Sequence, residues 1–232
     1  MSAEEQKRAV GYRAAGYIEN GMKVGLGTGS TVRWLLEAIA DRRTAGEIRD
    51  IVGVPTSDDT ARRAVALGIP LGTLEDYPEL DIALDGADEV DPDLDVIKGL
   101  GGALLREKIV VMTAARFVVL VDESKLVDRL GQKAPLPVEI DPFSLGAQLP
   151  FLRRLGADPV LRRDGNGNAF RTDGGHIILD CRFAEGISDA AALAAALDAR
   201  PGVMEHGLFL DVATRVLVAR SGGVDVLERA GR

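Results

Sequence analysis

The sequence predicts an α/β fold in which a parallel sheet is flanked by helices and a smaller α+β domain follows. Three observations predict it. Short apolar runs alternate with amphipathic stretches through the first half, as parallel strands joined by helices require. The run Phe117-Val118-Val119-Leu120-Val121 is apolar without alternation, which fits a strand buried on both faces. Beyond Pro135-Leu136-Pro137 the rhythm changes to β-α-β-β-α-β, the order of a split βαβ unit.

Each element has its own signal. Val10, Ala14, Tyr17 and Ile18 recur at helical spacing, so residues 3–19 should form a helix stopped by Asn20-Gly21. Lys23–Leu26 is a strand, and a glycine turn leads from it into a helix carrying Val32, Leu35, Leu36 and Ile39. Ile51–Val54 is the next strand, and Ser57 can cap a helix over 58–67. Strands at Asp81–Leu84 and Arg116–Val121 bracket a helix over Ala103–Met112. The second region should hold strands at Val138–Ile140, Pro159–Arg163, Ile177–Cys181 and Val203–Phe209. Its helices should cover Phe143–Leu155 and Asp189–Ala199, the latter capped by Ser188. Val212–Ala219 reads as a strand returning to the large sheet. The predicted division is a Rossmann-like domain of residues 1–133 plus 207–232 and a smaller, ferredoxin-like domain of residues 134–206.

Composition narrows the function. With 46% hydrophobic residues, the 232-residue chain can fill a sizeable core. Net charge −8 and only 4% aromatic residues argue against a nucleic-acid or anionic-membrane partner. The charged start, Glu4-Glu5-Gln6-Lys7-Arg8, has no apolar signal core, and no run is long enough to span a bilayer, so a cytoplasmic protein is expected. The single cysteine, Cys181, sits in an apolar run and reads as a buried small hydrophobe.

Three constellations carry chemistry. In Gly25-Leu26-Gly27-Thr28-Gly29-Ser30-Thr31, three glycines and three hydroxyls stand at a helix start, where unpaired N–H groups suit an anion. The alternative is a plain tight turn with Ser30 or Thr31 as N-cap. The dinucleotide and Walker patterns do not fit its spacing. In Leu84-Asp85-Gly86-Ala87-Asp88-Glu89-Val90-Asp91, acids crowd the carboxyl end of a strand, where open parallel sheets bind ligands. An Asx turn capping the strand is the structural alternative. Asp91-Pro92-Asp93-Leu94-Asp95 mimics a calcium loop, but Val96 and Gly102 stand where a glycine and a glutamate are needed. Lys98-Gly99-Leu100-Gly101-Gly102 is a second close-approach turn, and Glu107 follows on a helix among Ala103, Leu104, Val110 and Val111. A carboxylate among apolar neighbours suits a general base, and the competing possibility is an exposed Glu107 paired with Arg106 or Lys108. His176 and His206 lie far apart, so a zinc site is not expected, although an acid-only magnesium site at Asp85 and Asp88 fits the residue types.

These blocks, taken with Asp122-Glu123-Ser124-Lys125 and Pro135-Leu136-Pro137-Val138-Glu139, resemble the ribose-5-phosphate isomerase A family, in family order and nearly end to end. The resemblance implies interconversion of D-ribose 5-phosphate and D-ribulose 5-phosphate through an enediolate, in the non-oxidative pentose phosphate pathway of carbohydrate degradation, with no metal or cofactor. By motif match it implies that Glu107 shuttles the proton and Asp85 assists ring opening. Asp88 and Lys98 hold the sugar hydroxyls and steady the enediolate. The implied substrate contacts also include Lys7, Thr28, Gly29, Ser30, Thr31, Gly86, Ala87, Gly99, Leu100, Gly101 and Lys125. Leu100 stands where some members have glycine, so only its backbone is assigned a role. The family implies a homodimer or homotetramer, with the smaller domain helping assembly. A non-catalytic sugar-phosphate sensor and an amino-sugar phosphate deaminase are the alternatives. The first would not need Glu107, and the second usually relies on a histidine beside its acids.

Overall fold

The computed structural model describes residues 1–229. The chain runs α1 (Ala3–Ala15), β1 (Lys23–Leu26), α2 (Ser30–Thr44), β2 (Val52–Pro55), α3 (Asp58–Ala66), β3 (Ile82–Gly86), β4 (Glu89–Val90), β5 (Val96–Ile97), α4 (Leu104–Met112) and β6 (Phe117–Asp122). It continues with β7 (Leu136–Ile140), α5 (Leu145–Arg154), β8 (Asp158–Leu161), β9 (Ile177–Arg182), α6 (Ala190–Asp198), β10 (Val203–His206), β11 (Leu208–Phe209), β12 (Arg215–Arg220) and β13 (Gly223–Glu228). It divides into two compact units. The first comprises residues 1–87, 106–125 and 212–232, and the second residues 88–105 and 126–211.

The first unit is built on a six-stranded sheet of order β13-β12-β6-β3-β1-β2, parallel except for β13. The expected fold class is therefore observed, and the tail does return to this sheet, pairing in parallel with β6. Phe117 to Val121 are all buried, as their unbroken apolarity predicts. Helices α1 and α2 close one face, packing Val10, Ala14, Leu35, Leu36 and Ile39 against Val24, Leu26, Ile82, Leu84, Val118 and Leu120. Ser2 starts α1 through a capping box with Glu5, whose carboxylate accepts from the Ser2 N–H at 2.6 Å. The helix ends at Ala15 rather than at residue 19. The Gly16 N–H turns back to the Arg13 and Ala14 carbonyls, so Tyr17 and Ile18 pack from the following turn. Ser57 caps α3 by accepting from the Thr60 N–H at 3.1 Å, as its position before two aspartates predicts.

The second unit contains a four-stranded antiparallel sheet of order β10-β7-β9-β8. Numbered within the unit this is 4-1-3-2, the ferredoxin-like arrangement that the split βαβ order predicts. Val138, Ile140, Ile177, Leu179 and Cys181 meet Leu152, Leu193 and Leu197 of α5 and α6 in one core. Burial pushes the Cys181 thiol well above its ordinary range, in keeping with an inert core residue. Helix α6 is capped by Asp189, whose carboxylate accepts from the Ala192 N–H at 2.9 Å, and not by Ser188.

The expected strand Val203–Phe209 breaks in two. Gly207 donates to the Pro137 carbonyl and accepts from the Lys98 N–H, at 2.8 and 2.9 Å. A Cβ there would stand 2.3 Å from the Lys98 carbonyl oxygen, so only glycine passes. Beyond it, β11 leaves the four-stranded sheet and joins β5 and β4 in a small sheet of order β11-β5-β4. Residues 88–105, 126–133 and 207–211, which the expected division gave to the larger domain, lie in the second compact unit, where the β11-β5-β4 pairing joins the first and last of these segments.

Candidate functional site

The Gly27–Thr31 turn and Asp85 lie at the carboxyl ends of the paired strands β1 and β3. After β1 the chain turns through Gly27-Thr28-Gly29 into α2. The Asp85 carboxylate, at the end of β3 and 2% exposed, accepts from the Thr28 N–H at 3.0 Å and the Gly86 N–H at 2.7 Å. A Cβ on Gly27 would lie 2.0 Å from the Asp85 carboxyl carbon, so the acid and the turn interlock only because residue 27 has no side chain. Thr28 sends its hydroxyl into a buried hydroxyl group, 2.8 Å from both Thr56 Oγ1 and Ser57 Oγ. Thr60 completes that group by donating to the Gly27 carbonyl at 2.7 Å. These contacts fix the turn from below and leave its upper side to solvent, where Gly29 and Ser30 are exposed.

Gly29 is the N-cap of α2, with φ 116°, and no side chain caps that helix. The alternative in which Ser30 or Thr31 serves as cap is thereby excluded. The first turn of α2 carries no acid, and an anion at its N–H groups would meet the positive end of the helix dipole. Glu107 is 3% exposed, which decides between the buried and the exposed possibilities. Arg106, its expected exposed partner, instead pairs with Asp58 at 2.7 Å. Val110, one turn further along α4, packs against Gly25 of β1, where an added Cβ would meet it at 2.5 Å. Glu107 stands three residues before Val110, so the two share one face of α4. Lys125 ends the short 3-10 turn after β6, and Lys7 lies on α1 beside Glu4 at 4.0 Å.

The candidates of the second unit form their own arrangement. The half-buried Asp88 accepts from the Leu100 N–H at 2.9 Å, which joins the acidic run to the glycine turn. Lys98 is 3% exposed, with its ammonium 5.7 Å from the centre of the Phe209 ring. The Leu100 side chain is 40% exposed while its backbone is held on both sides. The holder on the second side is Arg162, which donates to the Gly99 and Leu100 carbonyls at 3.0 Å and is itself clamped by Asp180. Sequence reading missed this arginine, because a lone arginine on a strand gives no local sign of a partner so far along the chain. It also missed Thr56 and Thr60.

Other acids in the run do structural work. Glu89 is fully buried and accepts from the N–H groups of Gly131, Lys133 and Ala134. Asp91 accepts from the N–H groups of Asp93 and Asp95 at 3.0 and 2.9 Å, an Asx-type turn rather than a calcium loop. Partial burial pushes the Asp91 carboxyl above its ordinary pKa. Both histidines are engaged within the second unit. His176 Nδ1 lies 2.9 Å from the buried Glu139, and His206 Nε2 lies 3.1 Å from Asp198.

Among the described residues, one group has metal-ligand spacing: Asp198, Glu205 and His206. The Leu208 N–H donates to His206 Nδ1 at 3.2 Å, which places the ring proton on Nε2, facing Asp198. The lone pair a metal would need there is therefore occupied by a proton, and the group reads as a hydrogen-bonded cap between α6 and β10.

A parallel sheet with a buried acid and an uncapped helix start at its carboxyl end is the arrangement at which α/β proteins take small anions. The family model of ribose 5-phosphate isomerase A (phosphoriboisomerase A) matches residues 52–223. The chain is 53% identical to ribose-5-phosphate isomerase A of Roseiflexus castenholzii over 222 residues, covering 96% of this chain and 94% of the relative. It is 50% identical to that of Gloeobacter violaceus, covering 98% and 97%. Among solved structures, it is similar to a D-ribose-5-phosphate isomerase in complex with phospho-erythronic acid, with 43% identity, TM-score 0.96 and coverage of 99% and 100%. It is similar also to ribose 5-phosphate isomerase A of Methanocaldococcus jannaschii, with 39% identity, TM-score 0.92 and coverage of 98% and 100%. The chain belongs to the ribose 5-phosphate isomerase A family.

Proposed function

We propose that this protein interconverts D-ribose 5-phosphate and D-ribulose 5-phosphate. What supports the proposal is that Asp85, buried at the end of a parallel strand, accepts from a glycine turn that leads into a helix start without a side-chain cap, and that Glu107 is a second buried carboxylate. Family membership supplies the reaction class.

Isomerisation needs one base that takes a proton from C2 and returns it to C1 of the same enediolate. A single carboxylate does this when apolar neighbours keep water away, and Glu107 has Leu104, Val110 and Val111 around it, all buried. Asp85 is held by two N–H donors, which fixes its position for ring opening of the furanose. The developing enediolate needs positive charge and N–H groups, the role given to Lys98 and to the backbone of Gly99 to Gly101, with Asp88 on the sugar hydroxyls. Phosphate binding to the N–H groups and hydroxyls of Thr28 to Thr31, helped by Lys7 and Lys125, holds the reacting carbons in place. No step in this scheme uses a metal or cofactor. We further propose a homodimer or homotetramer assembled with the help of the second unit, acting in the cytoplasm in the non-oxidative pentose phosphate pathway. Among the described residues no helix is long and apolar enough to cross a membrane.

Direct assay of ribose 5-phosphate conversion, with and without a chelator, tests the reading. Ribulose 5-phosphate should form at a rate indifferent to the chelator. Absence of conversion would leave a sugar-phosphate sensor as the better account, and loss of activity on chelation would bring a metal into the mechanism.

A further inference from the structure

At the opposite end of the same sheet lies a cavity of about 210 Å³. It opens where β6 and β12 begin and β13 ends, and its wall includes Arg116, Arg215, Arg229, Tyr17, Thr214 and Glu228. β6 has six residues, so about 20 Å separate this cavity from the carboxyl end of the strand. Three arginines and one glutamate line it, in a chain whose net charge is −8. Crowding of like charge in a partly enclosed space is unfavourable unless something offsets it.

The groups are not equivalent. Arg215 donates to Glu228 at 2.7 Å and lies 5.5 Å from the centre of the Tyr17 ring, which Arg13 approaches at 5.8 Å. Arg229 donates to the Ala213 carbonyl at 3.2 Å. The Thr214 hydroxyl is spent on the Phe117 carbonyl, at 2.8 Å. Among the described residues neither the Arg116 guanidinium nor the Tyr17 hydroxyl makes a hydrogen bond or ion pair. The residues lining the cavity thus include an arginine and a tyrosine whose polar ends have no hydrogen-bond partner among the described residues, beside two positioned arginines.

We propose that this cavity is a second anion site that takes a phosphate group, either free inorganic phosphate or a small phosphomonoester. Guanidinium forks match phosphate oxygens in paired N–H···O bonds, and the phenol adds one O–H donor. The volume admits a phosphoryl group with a small substituent and is below the usual range for larger ligands. The site stands on its own, independent of the isomerase reading.

The test fills the site around Thr28 with phospho-erythronic acid, the compound held by the homologous structure. The protein is then titrated calorimetrically with inorganic phosphate and, separately, with glycerol 3-phosphate. Wild type should bind at least one of the two saturably, and the tighter one identifies the source. Arg116→Ala should weaken that binding at least about tenfold, as expected for loss of charge-assisted hydrogen bonds. Tyr17→Phe should weaken it about threefold, as expected for one neutral hydrogen bond. Turnover of both variants should stay within about twofold of wild type, since neither residue touches the substrate site. If phospho-erythronic acid fills both sites, wild type takes up two equivalents of it and Arg116→Ala one, which supports the proposal equally. Wild type that binds nothing beyond its first equivalent, or Arg116→Ala that binds both phosphates as wild type does, overturns it.

Discussion

Asp85 and Glu89 stand four residues apart in the chain, both buried and both accepting backbone N–H groups, yet their surroundings differ in kind. Asp85, in the first unit, accepts from Thr28 and Gly86 beside an uncapped helix start whose outer side is exposed. Glu89, in the second unit, divides its two oxygens among Gly131, Lys133 and Ala134, closing a bend of the chain. Burial and hydrogen bonding are common to both. What sets Asp85 apart is its neighbour: a glycine turn, exposed at Gly29 and Ser30, that leads into a helix start without a side-chain cap. Three N–H donors on one carboxylate mark a device that holds the chain together.

The comparison can be broken most forcefully at Glu107, the other buried acid of the first unit. Glu107→Gln keeps the shape and removes the base, so kcat should fall by at least about 10³-fold with substrate affinity nearly intact. Near-normal turnover would remove it from the chemistry. Next come the paired acids themselves. In Asp85→Asn the amide oxygen can still accept from Thr28 and Gly86, so kcat should fall about 100-fold while urea unfolding shifts little. In Glu89→Gln the amide NH₂ must face a backbone N–H, and stability should drop by roughly 2–4 kcal/mol with kcat of the folded protein preserved. Reversed outcomes, with stability lost at Asp85 and turnover lost at Glu89, would exchange the roles given to them. A smaller effect is expected from Lys125→Ala, which should raise KM for ribose 5-phosphate about tenfold and leave free ribose unaffected. Equal effects on both sugars would take Lys125 away from the phosphate.

The smallest effect is expected on the surface of α3. Hydrogen bonding from Arg63 holds the Asp59 carboxyl below the usual range. Its contribution is present above the unfolded-state pKa and disappears as pH falls through the lower native value. Half exposed to solvent, the pair is worth at most about 0.5 kcal/mol. The stability difference between wild type and Asp59→Asn should therefore be small at neutral pH and vanish in acid. A difference that persists in acid would assign it to packing.

What the chain reveals without coordinates follows from how local each signal is. The sheet class was legible because Phe117–Val121 and the Gly25–Thr31 turn carry their message within a few residues. Ser57 was legible as a cap because two aspartates follow it directly. Ser188 and Asp189 are adjacent and both good caps, so only geometry separates them. The edge strand β13 was missed because Val224, Val226 and Glu228 alternate weakly after two glycines, and its partner β12 supplies the order. Of the site, the glycine turns and the acids could be read directly. Arg162, Thr56 and Thr60 could not, because their importance lies in partners brought near by folding.

The neighbouring strands β6 and β12 are separated in the chain by the whole of residues 123–214, including all of the four-stranded sheet. During synthesis β6 must therefore leave the ribosome with one edge open and wait for the last part of the polypeptide to cover it. An apolar strand with an unpaired edge is a ready template for self-association. Nascent chains halted before residue 215 should precipitate even though their ferredoxin-like part is complete, and chaperone demand should peak in that interval.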